Sequence, residues 1–92
     1  MKTVRHGGRF MGRVQGVGFR GFAIMNAQRR NITGSVKNLE NGMVEMYVQG
    51  EEDKIDEFLA EIEKGNRFIR VDNISVKPSQ VVEGEKRFSY GH

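Results

Sequence analysis

Cysteine is absent from the chain, which excludes disulfides, thiol nucleophiles and cysteine-ligated metals. Histidine is almost as scarce: there is only His6 and, at the C-terminus, His92. A histidine-based zinc site would need carboxylates to complete it, and no matching cluster of acids is visible, so neither metal nor cofactor is expected. No apolar run approaches a membrane span, and the N-terminus lacks the apolar stretch of a secretory signal. A cytoplasmic protein without membrane contact is the default expectation. Repeats, linkers and low-complexity segments are also missing. Neither sign of charge dominates: 15 Lys and Arg against 12 Asp and Glu give +3. That is a mild bias toward anionic partners, far short of a nucleic-acid-binding arm. The 92 residues, 37% of them apolar, suffice for one two-layer domain over 1–92 with a single modest core.

What is present is organised around residues 12–20, Gly12-Arg13-Val14-Gln15-Gly16-Val17-Gly18-Phe19-Arg20. Two glycines one residue apart separate a strand-like run from a helix-like run. Glycine allows positive φ and close approach of a ligand to the main chain. Successive N–H groups in such a turn can converge on an anion, and a helix starting there adds its own free N–H groups and dipole. Arg20 stands where the helix opens, with a planar fork of donors suited to phosphate oxygens. The residues alone therefore describe a phosphate cradle closed by an arginine, although a glycine-rich strand-to-helix turn is often no more than a turn. Two look-alikes fail on context. Gly16-x-Gly18-x-x-Gly21, with Glu40 downstream, matches a dinucleotide fingerprint literally, but a doubly wound domain needs more elements than this chain has, and the helix leads into a hairpin. Arg20-Gly21-Phe22-Ala23-Ile24 echoes an RNA-recognition motif that must lie on a central strand, and here it falls at a helix start.

In chain order, residues 3–14 alternate loosely and read as a strand with Val4, His6, Gly8 and Phe10 on one face. His6 reads there as a structural or partly exposed histidine. Residues 19–30 read as a helix with Phe19, Phe22, Ala23 and Ala27 on one face and Arg29-Arg30 at the C-terminal dipole end. Residues 32–38 and 43–49 form a hairpin around Asn41-Gly42, with Ile32, Gly34, Val36 and Asn38 sharing one face. Glu51-Glu52-Asp53 open a second helix in which Ile55, Phe58, Leu59 and Ile62 recur, and Lys64-Gly65 closes it. Val71 to Val76 read as a strand ended by Pro78, and Phe88 with Tyr90 as a short last strand. The order predicts an α+β, ferredoxin-like split βαβ fold, β-α-β-β-α-β plus a short last strand, with two helices on one face of an antiparallel sheet.

The run from Gly12 to Arg20 resembles the first signature of the acylphosphatase family. Gly34-Ser35-Val36-Lys37-Asn38, followed by Gly42, Val44-Glu45 and Gly50, resembles the second. The resemblance covers nearly the whole chain, in length, element order and spacing between signatures. It implies hydrolysis of the carboxyl-phosphate bond of a small-molecule acyl phosphate, without metal or cofactor. By position it implies that Arg20 binds the phosphate, that the main-chain N–H groups of Gln15, Gly16, Val17, Gly18 and Phe19 form the cradle, and that Asn38 orients the attacking water. Inorganic phosphate or sulfate is then expected as product or inhibitor. A carboxylate leaving group needs little protonation, so the lack of an obvious acid is tolerable. Four residues depart from the family pattern: His6 and Gly8 at first-strand positions that are usually aliphatic, Gly21 in place of a bulky residue, and Ser35 in place of a large apolar one. They are expected to touch the core and the rim of the site. The alternatives are a binding module, either an RNA-binding ferredoxin-like domain using Phe10 and Tyr47, or a unit of a larger carbamoyl-transfer machine. A stand-alone monomer without nucleic acid is expected instead.

Overall fold

Side-chain alternation decides which surface of each strand meets the helices. On β2 (Thr33–Asn38), Gly34 and Val36 are buried while Thr33, Ser35 and Lys37 are not. On β3 (Val44–Glu51), Val44, Met46 and Val48 are buried and Glu45 and Tyr47 turn the other way. The computed structural model describes residues 2–16 and 18–90. Its remaining elements are β1 (Thr3–Arg13), α1 (Phe19–Arg29), α2 (Glu52–Lys64), β4 (Arg70–Ser79) and β5 (Phe88–Tyr90).

The sheet runs β4-β1-β3-β2-β5. Its first four strands are antiparallel neighbours, as the split βαβ reading predicts, and β5 adds to β2 in parallel. The sheet is thus mixed, because the chain crosses from one edge to the other after β4. The Asn41-Gly42 turn closes the hairpin within a loop of residues 39–43. Gly42 N–H donates to Leu39 C=O at 3.2 Å and Leu39 N–H to Met43 C=O at 2.8 Å. Asn41 Oδ1 accepts from Met43 N–H at 3.0 Å.

The core lies between the sheet and the two helices. α1 contributes Phe19, Ala23 and Ala27, with Phe22 partly buried, and α2 contributes Ile55, Phe58 and Ile62. The sequence pattern missed Asn26, which is buried. It is satisfied locally, donating through Nδ2 to Phe22 C=O at 2.9 Å and accepting from Arg30 at 3.2 Å. The α2 ends are as expected. Glu52 and Asp53 occupy the first turn, and Gly65 N–H donates to Glu61 C=O and Ile62 C=O at 3.2 and 3.1 Å.

Two expectations need correction, and one alternative loses its support. Pro78 does not end its strand: β4 continues to Ser79, with Pro78 paired to His6, because β4 is an outer strand and one of its sides needs no donors. Ser35 does not touch the core, since it lies between buried Gly34 and Val36 and faces away from the helices. Phe10 is buried and cannot serve a base-stacking platform, which leaves Tyr47 alone. Gly8 has a steric reason: a Cβ there would lie 2.6 Å from Ser75 O and 2.8 Å from Val76 Cγ2. His6 is half-buried, as expected, and its Nδ1 has no partner among the described residues.

The segment between β4 and β5 folds across the surface of the sheet away from the helices. Glu85 accepts from Arg5 at 2.9 Å and from Thr33 Oγ1 at 2.7 Å. The Gln49 amide exchanges two hydrogen bonds with the Val82 main chain at 3.0 and 2.8 Å. This strap delivers β5 to its place beside β2, where Phe88 packs on Phe58 with ring centroids 6.3 Å apart. Phe58→Ala is expected to lower stability by about 3–5 kcal/mol, as for other buried aromatic truncations. Phe68→Ala, at a side chain 60% exposed, should stay within about 0.5 kcal/mol of the parent. Urea denaturation of the pair checks both.

Candidate active site

The connection from β1 to α1 has to reverse the chain within a few residues, and glycine makes that possible. Val14 is buried and anchors the loop to the core. Gly16 and Gly18 follow with φ of 72° and 80°, a left-handed conformation that only glycine adopts freely. Gly18 is the N-cap of α1. Among the described residues no side chain caps the helix start, and no acid lies in its first turn. Phe22 N–H donates to Gly18 C=O at 3.0 Å. The N–H groups of Phe19 and Arg20, one turn earlier, have no partner inside the helix. The positive end of the helix dipole is therefore left open for an anion.

Arg20 is the second residue of α1, and its guanidinium lies 4.9 Å from the centre of the Tyr90 ring. At a half-exposed position such a contact contributes about 0.5–1 kcal/mol. Among the described residues no carboxylate pairs with Arg20 or takes up its charge. Asn38, the last residue of β2, continues the face that carries buried Gly34 and Val36, so it reaches the helix side of the sheet just where the strand runs out. One cavity of about 150 Å³ is lined by Val14, Gly16, Gly18, Phe19, Arg20, Gly21, Asn38 and Tyr90.

Of the residues expected from sequence, Gly16, Gly18, Phe19, Arg20 and Asn38 meet at this cavity. Val17 lies outside the described residues. Phe19 contributes beneath it, its buried ring 6.2 Å from Phe10. Gln15 lies next to the cavity without lining it, and its side chain has a task that sequence reasoning missed. Nε2 donates to Leu39 C=O at 2.9 Å and to Met43 C=O at 2.8 Å, tying the loop to the β2–β3 hairpin. Tyr90 was also missed as a site residue. The available signal was its spacing of two from Phe88, which places both rings on one face of β5.

The arrangement offers N–H donors, a cation and a neutral amide around a space open to solvent. It suits an anionic group attacked by water, and it holds no group of three or more His, Asp or Glu among the described residues that could bind a metal ion. No helix among the described residues is long and apolar enough to cross a membrane.

A family model described as acylphosphatase matches residues 8–90. The acylphosphatase of Clostridium acetobutylicum is 51% identical over 85% of this chain and 86% of its own length. The crystal structure of acylphosphatase from Bacillus subtilis superposes with a TM-score of 0.90 at 39% identity, over 97% of this chain and 99% of that one. Full-length HypF contains a similar unit: it is 30% identical with a TM-score of 0.82, and the match covers 99% of this chain but 12% of HypF. With two helices on one face of a mixed five-stranded sheet, the chain is of the ferredoxin-like α+β class. It belongs to the acylphosphatase family and is an enzyme of that type.

The Gln15 clamp can be measured directly. Gln15→Met keeps the length of the side chain, removes both donors and leaves two carbonyls without this partner. The expected loss is about 1–3 kcal/mol of unfolding free energy. A denaturation midpoint equal to the parent's would mean that water replaces the amide without penalty.

Proposed function

We propose that this protein hydrolyses the carboxyl-phosphate bond of small-molecule acyl phosphates by direct attack of water, with Arg20 and the loop main chain holding the phosphoryl group and Asn38 positioning the water. The observation that carries this reading is that Arg20, Asn38 and the glycine loop line one cavity, although Arg20 and Asn38 stand on different elements. Phosphoryl transfer asks a protein for positioning and charge stabilisation more than for covalent chemistry. This reading gives both tasks to the Arg20 fork and the N–H groups from Gln15 to Phe19. Asn38 can accept a hydrogen bond from the water through its carbonyl oxygen, or donate one to the water through its NH₂. Being uncharged, it does not repel the substrate as a carboxylate would. The water oxygen forms the new bond to phosphorus. The bond from phosphorus to the carboxyl oxygen breaks with its electron pair on the departing carboxylate, and the water proton passes to the phosphate product or to solvent. The reading extends to a cytoplasmic, monomeric, single-domain enzyme inhibited by its product phosphate or by sulfate.

Hydrolysis of acetyl phosphate is the test, with a chelator present, and turnover should be unchanged by the chelator. Arg20→Ala should abolish turnover and phosphate binding together, and Arg20→Lys should restore little, because a point charge does not reproduce the fork. Full activity in the lysine variant would rule out bidentate binding.

Asn38→Ala should separate chemistry from binding. The rate is expected to fall by about two to three orders of magnitude, comparable to the loss of one preorganised donor, while phosphate affinity changes little. Equal losses of rate and affinity would make Asn38 part of the cradle instead.

A further inference from the structure

Two segments bring the groups of the proposed reaction together, and they are held to the core unequally. On the cradle side, Val14 and Phe19 are both buried, so the loop over 15–18 is pinned to the core at each end. On the hairpin side, none of residues 37–43 is buried, and the nearest residues that reach the core are Val36 and Val44. Asn38 stands in that weakly anchored stretch, opposite Val44 in the last rung of the β2–β3 ladder. Beyond it the turn is closed by its own main chain, Leu39 N–H donating to Met43 C=O at 2.8 Å. The Gln15 side chain links this turn to the pinned loop, its Nε2 donating to Leu39 C=O at 2.9 Å and to Met43 C=O at 2.8 Å. Both partners are carbonyl oxygens, so the NH₂ end of the amide must face them. By chain position Gln15 belongs to the cradle, yet its side chain does not line the cavity and serves the hairpin instead.

We infer that the Gln15 side chain is a positioning residue for the attacking water, acting through Asn38 and not through the phosphate. This rests on the proposed hydrolysis at Arg20 and Asn38. When the two hydrogen bonds are removed, the hairpin end is the part that shifts, because the loop keeps its buried anchors at Val14 and Phe19. The main-chain N–H of residue 15 stays where it was, whatever side chain it carries. A water held by Asn38 has to lie in line with the bond that breaks. Displacement of such a group by about 1 Å can cost up to about a hundredfold in rate. Loss of the Gln15 amide therefore carries the signature of losing Asn38, a lower rate at unchanged affinity. A side chain that supported the phosphate cradle would lower both.

The test is a cycle of the parent, Gln15→Met, Asn38→Ala and the double variant, with acetyl phosphate as substrate. Rates are taken per phosphate-binding site, counted by titration with inorganic phosphate, so that unfolded protein drops out of the comparison. Gln15→Met should lower kcat by about tenfold or more and leave KM and phosphate affinity within about twofold of the parent. In the Asn38→Ala background the same change should cost less than about twofold, because the group it positions is gone. Gln15→Glu keeps the volume of the side chain but sets a carboxylate against two carbonyl oxygens, and its kcat should fall at least as far. Equal factors for Gln15→Met with and without Asn38, or a loss of its phosphate affinity in step with its rate, would overturn the assignment. So would a kcat equal to the parent's in both Gln15 variants. A parent that leaves acetyl phosphate intact, or an Asn38→Ala variant as fast as the parent, is a separate result: it would overturn the hydrolysis reading itself before the cycle is closed.

Discussion

The side-chain amide of Gln15 donates both of its hydrogens across the gap between the β1–α1 loop and the β2–β3 hairpin, to the carbonyls of Leu39 and Met43. Those carbonyls belong to the turn that follows Asn38, so the clamp sets how far the end of β2 stands from the helix start. The loop owes its shape to left-handed glycines, which are permissive rather than rigid, and the hairpin end is exposed. Two short hydrogen bonds from a half-buried group turn the pair into one unit. Such a unit holds the helix start and the neutral Asn38 amide at a fixed separation.

A second dependence runs through the far side of the sheet. Arg5, Gln49 and Thr33 form one row across β1, β3 and β2, and the strap from β4 to β5 is bound to that row through Glu85 and Val82. Arg5 also lies over the Tyr47 ring at 5.3 Å. The ion pair of Arg5 with Glu85 is largely withdrawn from water, and such a pair serves geometry more surely than it adds stability. Its geometric effect reaches through the sheet. By holding the strap it brings β5 beside β2, and with β5 comes the Tyr90 ring that backs Arg20.

Local periodicity made most of the fold legible. Helical spacing marked α1 and α2, strict alternation marked β2 and β3, and Asn41-Gly42 joined them. Arg20, Asn38 and the glycine loop were legible because two motifs in register demand specific residues at specific spacings. The remainder depends on contacts between distant parts of the chain. No local pattern tells that the Gln15 side chain turns toward residues 39 and 43, or that Tyr90 crosses to Arg20. The parallel pairing of β5 follows from where the strap lands, which the row of Arg5, Gln49 and Thr33 decides. Asn26 escaped notice because a buried amide bonded within its own helix looks, in sequence, like a solvent-facing one.

Pro78, placed within β4 rather than after it, bears on how the molecule meets other copies of itself. An outer strand of ten residues presents a row of free N–H and C=O groups, the template on which fibres and swapped sheets grow. Proline removes one donor from that row, and Lys77 beside it sets a charge that a second edge would have to accommodate. The opposite edge, β5, spans three of the described residues. Pro78 and Lys77 thus blunt one end of the β4 edge and make it a poorer template for a second copy's strand than its length alone would suggest.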